Sequence, residues 1–214
     1  MRKKIYFTLA ICCIVGGIWF SSTNGYTFLK GYFLYKTGDN KVITSPVVDA
    51  SMRESGDRNI VVPLYPSRPE IGDEIGLLSI PKINASLPIF HGTDEDELER
   101  GVGHYAGSVL PGEQDNSVLA GHRDTVFRKL GEVGVDDLLI VTTAAGQFTY
   151  KVQRVRIVDS DDRTVIVPRP RATLTVSTCY PFQYIGNAPE RYILEATLIQ
   201  SEKNDNNLAK ASTK

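Results

Sequence analysis

Two hydrophobic patterns divide the chain. The first is an apolar run, Ile5 to Phe20, broken only by Thr8 and two glycines. A helix from Ile5 to Ser22 would be roughly 27 Å long at about 1.5 Å per residue, just able to span a bilayer. Arg2, Lys3 and Lys4 precede it and no charged residue follows until Lys30. Basic residues keep that end in the cytoplasm, so the remainder is expected outside the membrane. A cleaved signal peptide is the alternative, but the residues after Phe20 contain no clear A-x-A-like cleavage site. The second pattern is a series of short apolar segments between turn residues, beginning near residue 76. Expected strands are 76–81 and 85–90, joined by 82–84, then 117–120, 138–143, 148–158, 164–167, 172–178 and 192–200. Phe148, Tyr150 and Val152 alternate with polar neighbours, and Ala145-Gly146 turns 138–143 back onto 148–158. Asp94 with Glu97 three residues later suits a helix start near 93–98, and 124–130 reads as a short helical turn. Many short strands with few helices predict a closed, mainly β barrel.

Domain boundaries follow. Residues 1–22 form the cytoplasmic end and anchor, 23–70 an extracytoplasmic stalk, 71–200 the barrel and 201–214 a disordered polar tail. The stalk is aromatic near the membrane, at Tyr26 to Tyr35, and then carries Pro46, Pro63, Pro66 and Pro69. About 130 residues remain for the barrel, typical of one domain. Hydrophobic content of 42% supports one core, and a formal net charge of −1 leaves no basic field to hold nucleic acid. No internal repeat or Gly-rich phosphate loop is present, and no cofactor is expected.

The candidate chemistry centres on Cys179. It ends the run Thr173 to Cys179 and is the only cysteine outside the apolar N-terminus, where Cys12 and Cys13 read as small buried side chains. A thiol without a partner in its own domain, in an exported chain, points to a used nucleophile. Its reaction requires the thiolate, and an imidazole can take the proton; His122, after the expected strand 117–120, is the candidate. A fixed guanidinium suits the oxyanion of an attacked carbonyl, and Arg191 follows Cys179 by twelve residues. Taken singly each residue is weak: a lone Cys is more often inert and a lone Arg a solvated charge. A rival assignment makes His91, His104, His122 and Cys179 zinc ligands of a binding module, although no C-x-x-C or H-x-x-x-H spacing supports it. Asp159, Asp161 and Asp162 form an acidic loop cluster, better read as a solvated turn than a calcium site.

The local words Leu119-Ala120-Gly121-His122-Arg123-Asp124, Thr175-Val176-Ser177-Thr178-Cys179 and Arg191 resemble the sortase family of cysteine transpeptidases, with Val176 where Leu is usual. Gly103-His104-Tyr105 and Pro111-Gly112 resemble the family's approach to its histidine. His122-Arg123-Asp124-Thr125 with Phe127 is most similar to class D. The resemblance covers about residues 71–200 and implies an eight-stranded barrel. It further implies that Cys179 attacks the Thr carbonyl of an LPXTG-like sorting signal on a surface protein. An amine of a peptidoglycan precursor would then resolve the thioester. His122 would move the protons and Arg191 would hold substrate and oxyanion. His104 and Thr178 are expected neighbours of the site, each with a structural role as the plainer reading. Tyr180-Pro181-Phe182 is expected to shape the loop before Arg191.

Overall fold

The computed structural model describes Ile14, residues 63–183, Gly186 and residues 188–204. The expected membrane span lies outside these residues except for Ile14; no described helix is long and apolar enough to cross a membrane. Among the described residues eight strands close a barrel in the order β1-β2-β3-β4-β7-β8-β6-β5. They are β1 (Glu74–Ile80), β2 (Ala85–His91), β3 (Val102–His104), β4 (Asn116–Ala120), β5 (Leu138–Thr143), β6 (Gly146–Asp159), β7 (Thr173–Tyr180) and β8 (Glu190–Lys203). A six-residue helix, α1 (Glu95–Arg100), crosses between the parallel strands β2 and β3. Glu97 accepts a hydrogen bond at 3.1 Å from the Asp94 amide, the reciprocal contact expected from those residues at a helix start.

Period-two alternation fills the barrel. Leu78 and Ile80, Leu87 and Ile89, Leu139 and Val141, Phe148 and Tyr150, Leu174 and Val176, and Leu194 with Ala196 are each fully buried in one cluster. Each large side chain of this kind contributes roughly 1.5–3 kcal/mol through removal from water. Intervening residues face outward. On β7 these are Thr175, Ser177 and Cys179; their partners on β8 are Glu195, Ile193 and Arg191.

Four differences from the sequence reading have physical causes. Strand β3 has only three residues, too few to show a period. The expected strand at 164–167 is part of a loop joining β6 to β7. Asn116 Nδ2 donates to the Val165 and Val167 carbonyls at 3.3 and 3.2 Å, so a side chain replaces the neighbouring strand. Strand β8 continues to Lys203, three residues into the segment read as tail, because β6 pairs with it as far as Gly146–Lys203. The last stretch assigned to the stalk is docked on the barrel: Tyr65 donates to the Pro111 carbonyl at 2.6 Å, and Leu64 and Tyr65 pack against the core.

Candidate active site

Topology gathers the three candidate residues. Strands β4 and β7 are parallel neighbours, so their C-terminal ends lie at one rim, and β8, antiparallel to β7, begins there. Cys179 and Arg191 are direct register partners. Such pairs lie about 4.5–5.5 Å apart at Cα, with both side chains on one face. His122 follows the end of β4, where Ala120 pairs with Ser177. Two bonds extend this pairing: the Gly121 amide donates to the Ser177 carbonyl at 3.2 Å, and the Thr178 hydroxyl donates to the Gly121 carbonyl at 2.7 Å. Thr178 is 3% exposed, so its hydroxyl acts as a buried tie between the residue before His122 and the residue before Cys179. Gly121 is packed too tightly for a side chain; a Cβ would lie 2.7 Å from the Phe127 ring. The turn behind it closes with the Phe127 amide on the His122 carbonyl at 3.0 Å.

The site is open on one side. Cys179 is a half-buried free thiol. His122 is 33% exposed, with Nε2 3.4 Å from the Glu95 carboxylate of α1. Arg191 Nη1 donates to the Ala188 and Glu190 carbonyls at 3.2 and 2.9 Å, which fixes the guanidinium beside the thiol's strand through one of its nitrogens. Tyr180 and Phe182 pack with Tyr192 in an aromatic cluster, the ring centroids 5.2 to 6.3 Å apart, and Tyr192 donates to the Val133 carbonyl at 2.9 Å. This anchors the chain leaving Cys179 and the start of β8 just after Arg191. The Tyr180–Pro181 bond is cis.

The remaining histidines are engaged elsewhere. His104 is fully buried. Its Nε2 donates to the Val109 carbonyl at 2.9 Å, and its Nδ1 lies 3.0 Å from His91 Nδ1, so His91 carries the shared proton when both rings are neutral. Burial, more than its neighbours' charges, depresses the His104 imidazole to about 4. It therefore serves the β2–β3 pairing as a neutral side chain. His91 and His104 are spent on each other, and no described group of three His, Cys, Asp or Glu side chains is placed to hold a metal. The zinc assignment thus finds no convergent donor set. In the acidic loop cluster, Asp162 accepts from Arg156 and from the Thr164 hydroxyl and amide, an ion-paired turn.

One residue near the site escaped the sequence reading. Glu195 is 7% exposed and shares the outer face of Arg191 and Cys179. Arg154 donates to it through two nitrogens at 3.1 and 2.7 Å, Arg156 at 3.2 Å, and Arg169 Nη2 lies 3.2 Å away. Burial pushes its carboxyl upward, but bonds from Arg154 and Arg156 and the charge of Arg169 outweigh it and hold the group below the usual carboxylate range. Alternation along β8 places 191, 193 and 195 on one face, the only signal the sequence offered.

A closed eight-stranded β barrel thus carries a thiol, an imidazole and a guanidinium at one rim. The chain belongs to the sortase family: the sortase-domain family model matches residues 78–199. Its likeness runs to class D. It is 52% identical over 128 residues to sortase D of Bacillus subtilis (strain 168), covering 59% of this chain and 65% of that protein. Among solved structures it is similar to the catalytic domain of Bacillus anthracis SrtD (39% identity, TM-score 0.56, 65% of this chain and 97% of that one). It is similar also to a Clostridium perfringens sortase D5 transpeptidase (32% identity, TM-score 0.56, 61% and 82%). The matched region spans 65% of the Bacillus subtilis relative and 37% of a Streptomyces coelicolor sortase.

Proposed function

We propose that this chain is a membrane-anchored cysteine transpeptidase that cleaves an LPXTG-like C-terminal sorting signal and joins the protein to a peptidoglycan-precursor amine. The observation that carries the reading is the meeting of three strand ends: Cys179 paired with Arg191, and His122 one residue beyond the Gly121 carbonyl that Thr178 holds. The Cys179 thiolate attacks the Thr carbonyl carbon. The oxyanion forms beside Arg191, whose charge is permanent and whose position is already fixed, so little reorganisation is needed. The C–N bond breaks, His122 gives a proton to the leaving amine, and the acyl group remains on sulfur. The acceptor amine attacks this thioester, His122 takes its proton, and the C–S bond breaks to release the joined product and free Cys179. Anchoring rests on Arg2-Lys3-Lys4 before the apolar run, which puts the catalytic barrel outside the membrane.

Full-length protein in detergent, presented with LPXTG and LPXTA peptides and an amine, tests the reaction. Mass spectrometry should detect an acyl adduct on Cys179 that hydroxylamine removes. Cleavage persisting in Cys179→Ala overturns the nucleophile assignment. Anchoring is tested separately: deletion of 1–22 should move the protein from the membrane fraction to the medium or the soluble fraction.

A further inference from the structure

The outer face that carries Cys179 continues away from the rim. Ser177 and Ala120, both half-buried, come next on β7 and β4, and Thr175 and Asn116 lie beyond. Over this far end folds the loop between β6 and β7, residues 160–172, with Val165 5% exposed beneath it. Ile166, Val167 and Pro168 then wall a cavity of about 410 Å³, closed on the other side by Ala106 to Leu110. Asn116, at the start of β4, also lines it. Six residues of extended chain span about 20 Å, so a peptide whose carbonyl sits at Cys179 reaches this wall when it follows the outer face.

A loop of thirteen residues without regular structure needs specific ties. Asn116 bonds its carbonyls as described, with Thr175 Oγ1 donating to Asn116 Oδ1 at 2.7 Å to set the amide's direction. Asp115 Oδ1 accepts from the Arg169 amide at 2.6 Å. The charged ties converge on one atom group: Arg169 Nη2 of the loop stands 3.2 Å from the Glu195 carboxylate, a charge contact without a hydrogen bond, while Arg156 of β6 donates to it and also holds Asp162 at 3.1 Å. The loop is thereby gripped near both ends through a single buried carboxylate. Burying a carboxylate is costly unless it is fully paired. A strand position that only had to pack against Thr175 would be met by an apolar residue.

We propose that Glu195 is a positioning residue: an anionic latch that, through Arg169 and Arg156, fixes the 160–172 loop as the outer wall of the substrate groove. Its kinetic readout rests on the transpeptidase reading above; its structural readout does not. The latch acts on substrate seating and not on the reacting atoms, since neither Glu195 nor its three arginines is at the Cys179 rim. Removing it therefore weakens the wall's contacts equally in the substrate complex and in the transition state, relative to free enzyme, and lowers affinity with the chemical step retained.

The test uses the full-length protein in detergent with two variants, Glu195→Gln and Arg169→Met. The second keeps Glu195 paired with Arg154 and Arg156, so it remains informative should the first fail to fold. Each should raise KM for the sorting-signal peptide at least about fivefold, with kcat within about twofold of wild type, the split expected when binding alone is lost. Hydrogen exchange of the Thr164 and Arg169 amides should quicken by about tenfold, as local opening becomes easier. The rate of Cys179 alkylation by iodoacetamide should stay unchanged. Unchanged exchange in Arg169→Met overturns the latch, as does a fall in kcat at constant KM. A wild-type protein that cleaves no peptide defeats the transpeptidase reading, and amide exchange then decides the latch on its own.

Discussion

Cys179 on β7 and Arg191 on β8 are opposite members of one antiparallel pair, so the guanidinium is placed by the sheet and not by a mobile loop. Backbone pairing places the proposed nucleophile and the charge that would receive its oxyanion in one step. Two carbonyl bonds to Nη1 then hold the side chain. Arg191→Ala should lower kcat/KM by about 10² to 10³, the usual cost of removing an oxyanion donor. Arg191→Lys should recover only part of it, because an ammonium lacks the planar fork that bonds a carbonyl and substrate together. Steady-state cleavage of the peptide checks both; Arg191→Ala within tenfold of wild type removes the residue from the oxyanion site.

The tie between Thr178 and Gly121 makes a second, finer prediction. The bond is buried and joins the two strand ends that carry the thiol and the imidazole. Thr178→Val keeps the shape but removes the donor, leaving the Gly121 carbonyl without it at a cost of about 1–3 kcal/mol. Urea unfolding should show this loss. Because the missing bond also sets the spacing of His122 and Cys179, kcat/KM should fall by about tenfold, small displacements being costly to reactive geometry. Thr178→Ser, which restores the hydroxyl, should recover most of both.

The buried histidine pair predicts how acid acts on the fold. His104 is depressed from 6.5 to about 4 by burial, so the folded state keeps it neutral where the unfolded chain would protonate it. The unfolded state then binds more protons between these values, and stability rises with pH. Its contribution is complete above about 6.5 and is lost as pH falls towards 4, an amount of roughly 3 kcal/mol for such a shift. Denaturant midpoints between pH 7 and 4 should fall accordingly. The slope should flatten in His104→Gln, which is less stable at pH 7 but lacks the titrating ring.

Much of this was legible in the chain because the decisive features are periodic or local. Alternation in 148–152 and the strand-like run 173–179 marked two strands, and the words around His122 and Cys179 pointed to the strand ends now proposed to carry chemistry. That those ends meet depends on β4 and β7 being parallel neighbours although 52 residues lie between the end of β4 at Ala120 and the start of β7 at Thr173, a relation no local pattern contains. Thr164 to Val167 is β-branched throughout, as suits a strand, yet Pro168 and Pro170 follow it and Asn116 takes its carbonyls. A side-chain amide therefore overrode propensity there. Glu195 was invisible for the same reason. Its arginine partners lie 39 and 41 residues before it on β6 and 26 residues before it in the loop after β6, and only the closed barrel brings them together.

The contact between His122 and Glu95 looks at first like the carboxylate that orients a catalytic imidazole, but its setting argues against that role. Orienting carboxylates in hydrolytic triads are buried, and disabling one costs about 10⁴ in kcat. Glu95 is 71% exposed on a six-residue helix and its oxygen stands 3.4 Å from Nε2, beyond ordinary hydrogen-bond length. An exposed pair of this kind competes with water and salt and is worth about 0–1 kcal/mol. Glu95→Gln should therefore change kcat/KM less than about fivefold, a ratio that corresponds to that energy range. What small effect exists should vanish as salt is raised towards 0.5 M. His122→Ala, by contrast, should cost about 10² to 10⁴ through loss of proton transfer. Peptide cleavage by the two variants, measured side by side at low and high salt, separates the cases. A loss in Glu95→Gln comparable to that in His122→Ala would make Glu95 a fourth member of the machinery, beside Cys179, His122 and Arg191. A small, salt-dependent one leaves the imidazole oriented chiefly by the backbone turn closed from Phe127 to His122.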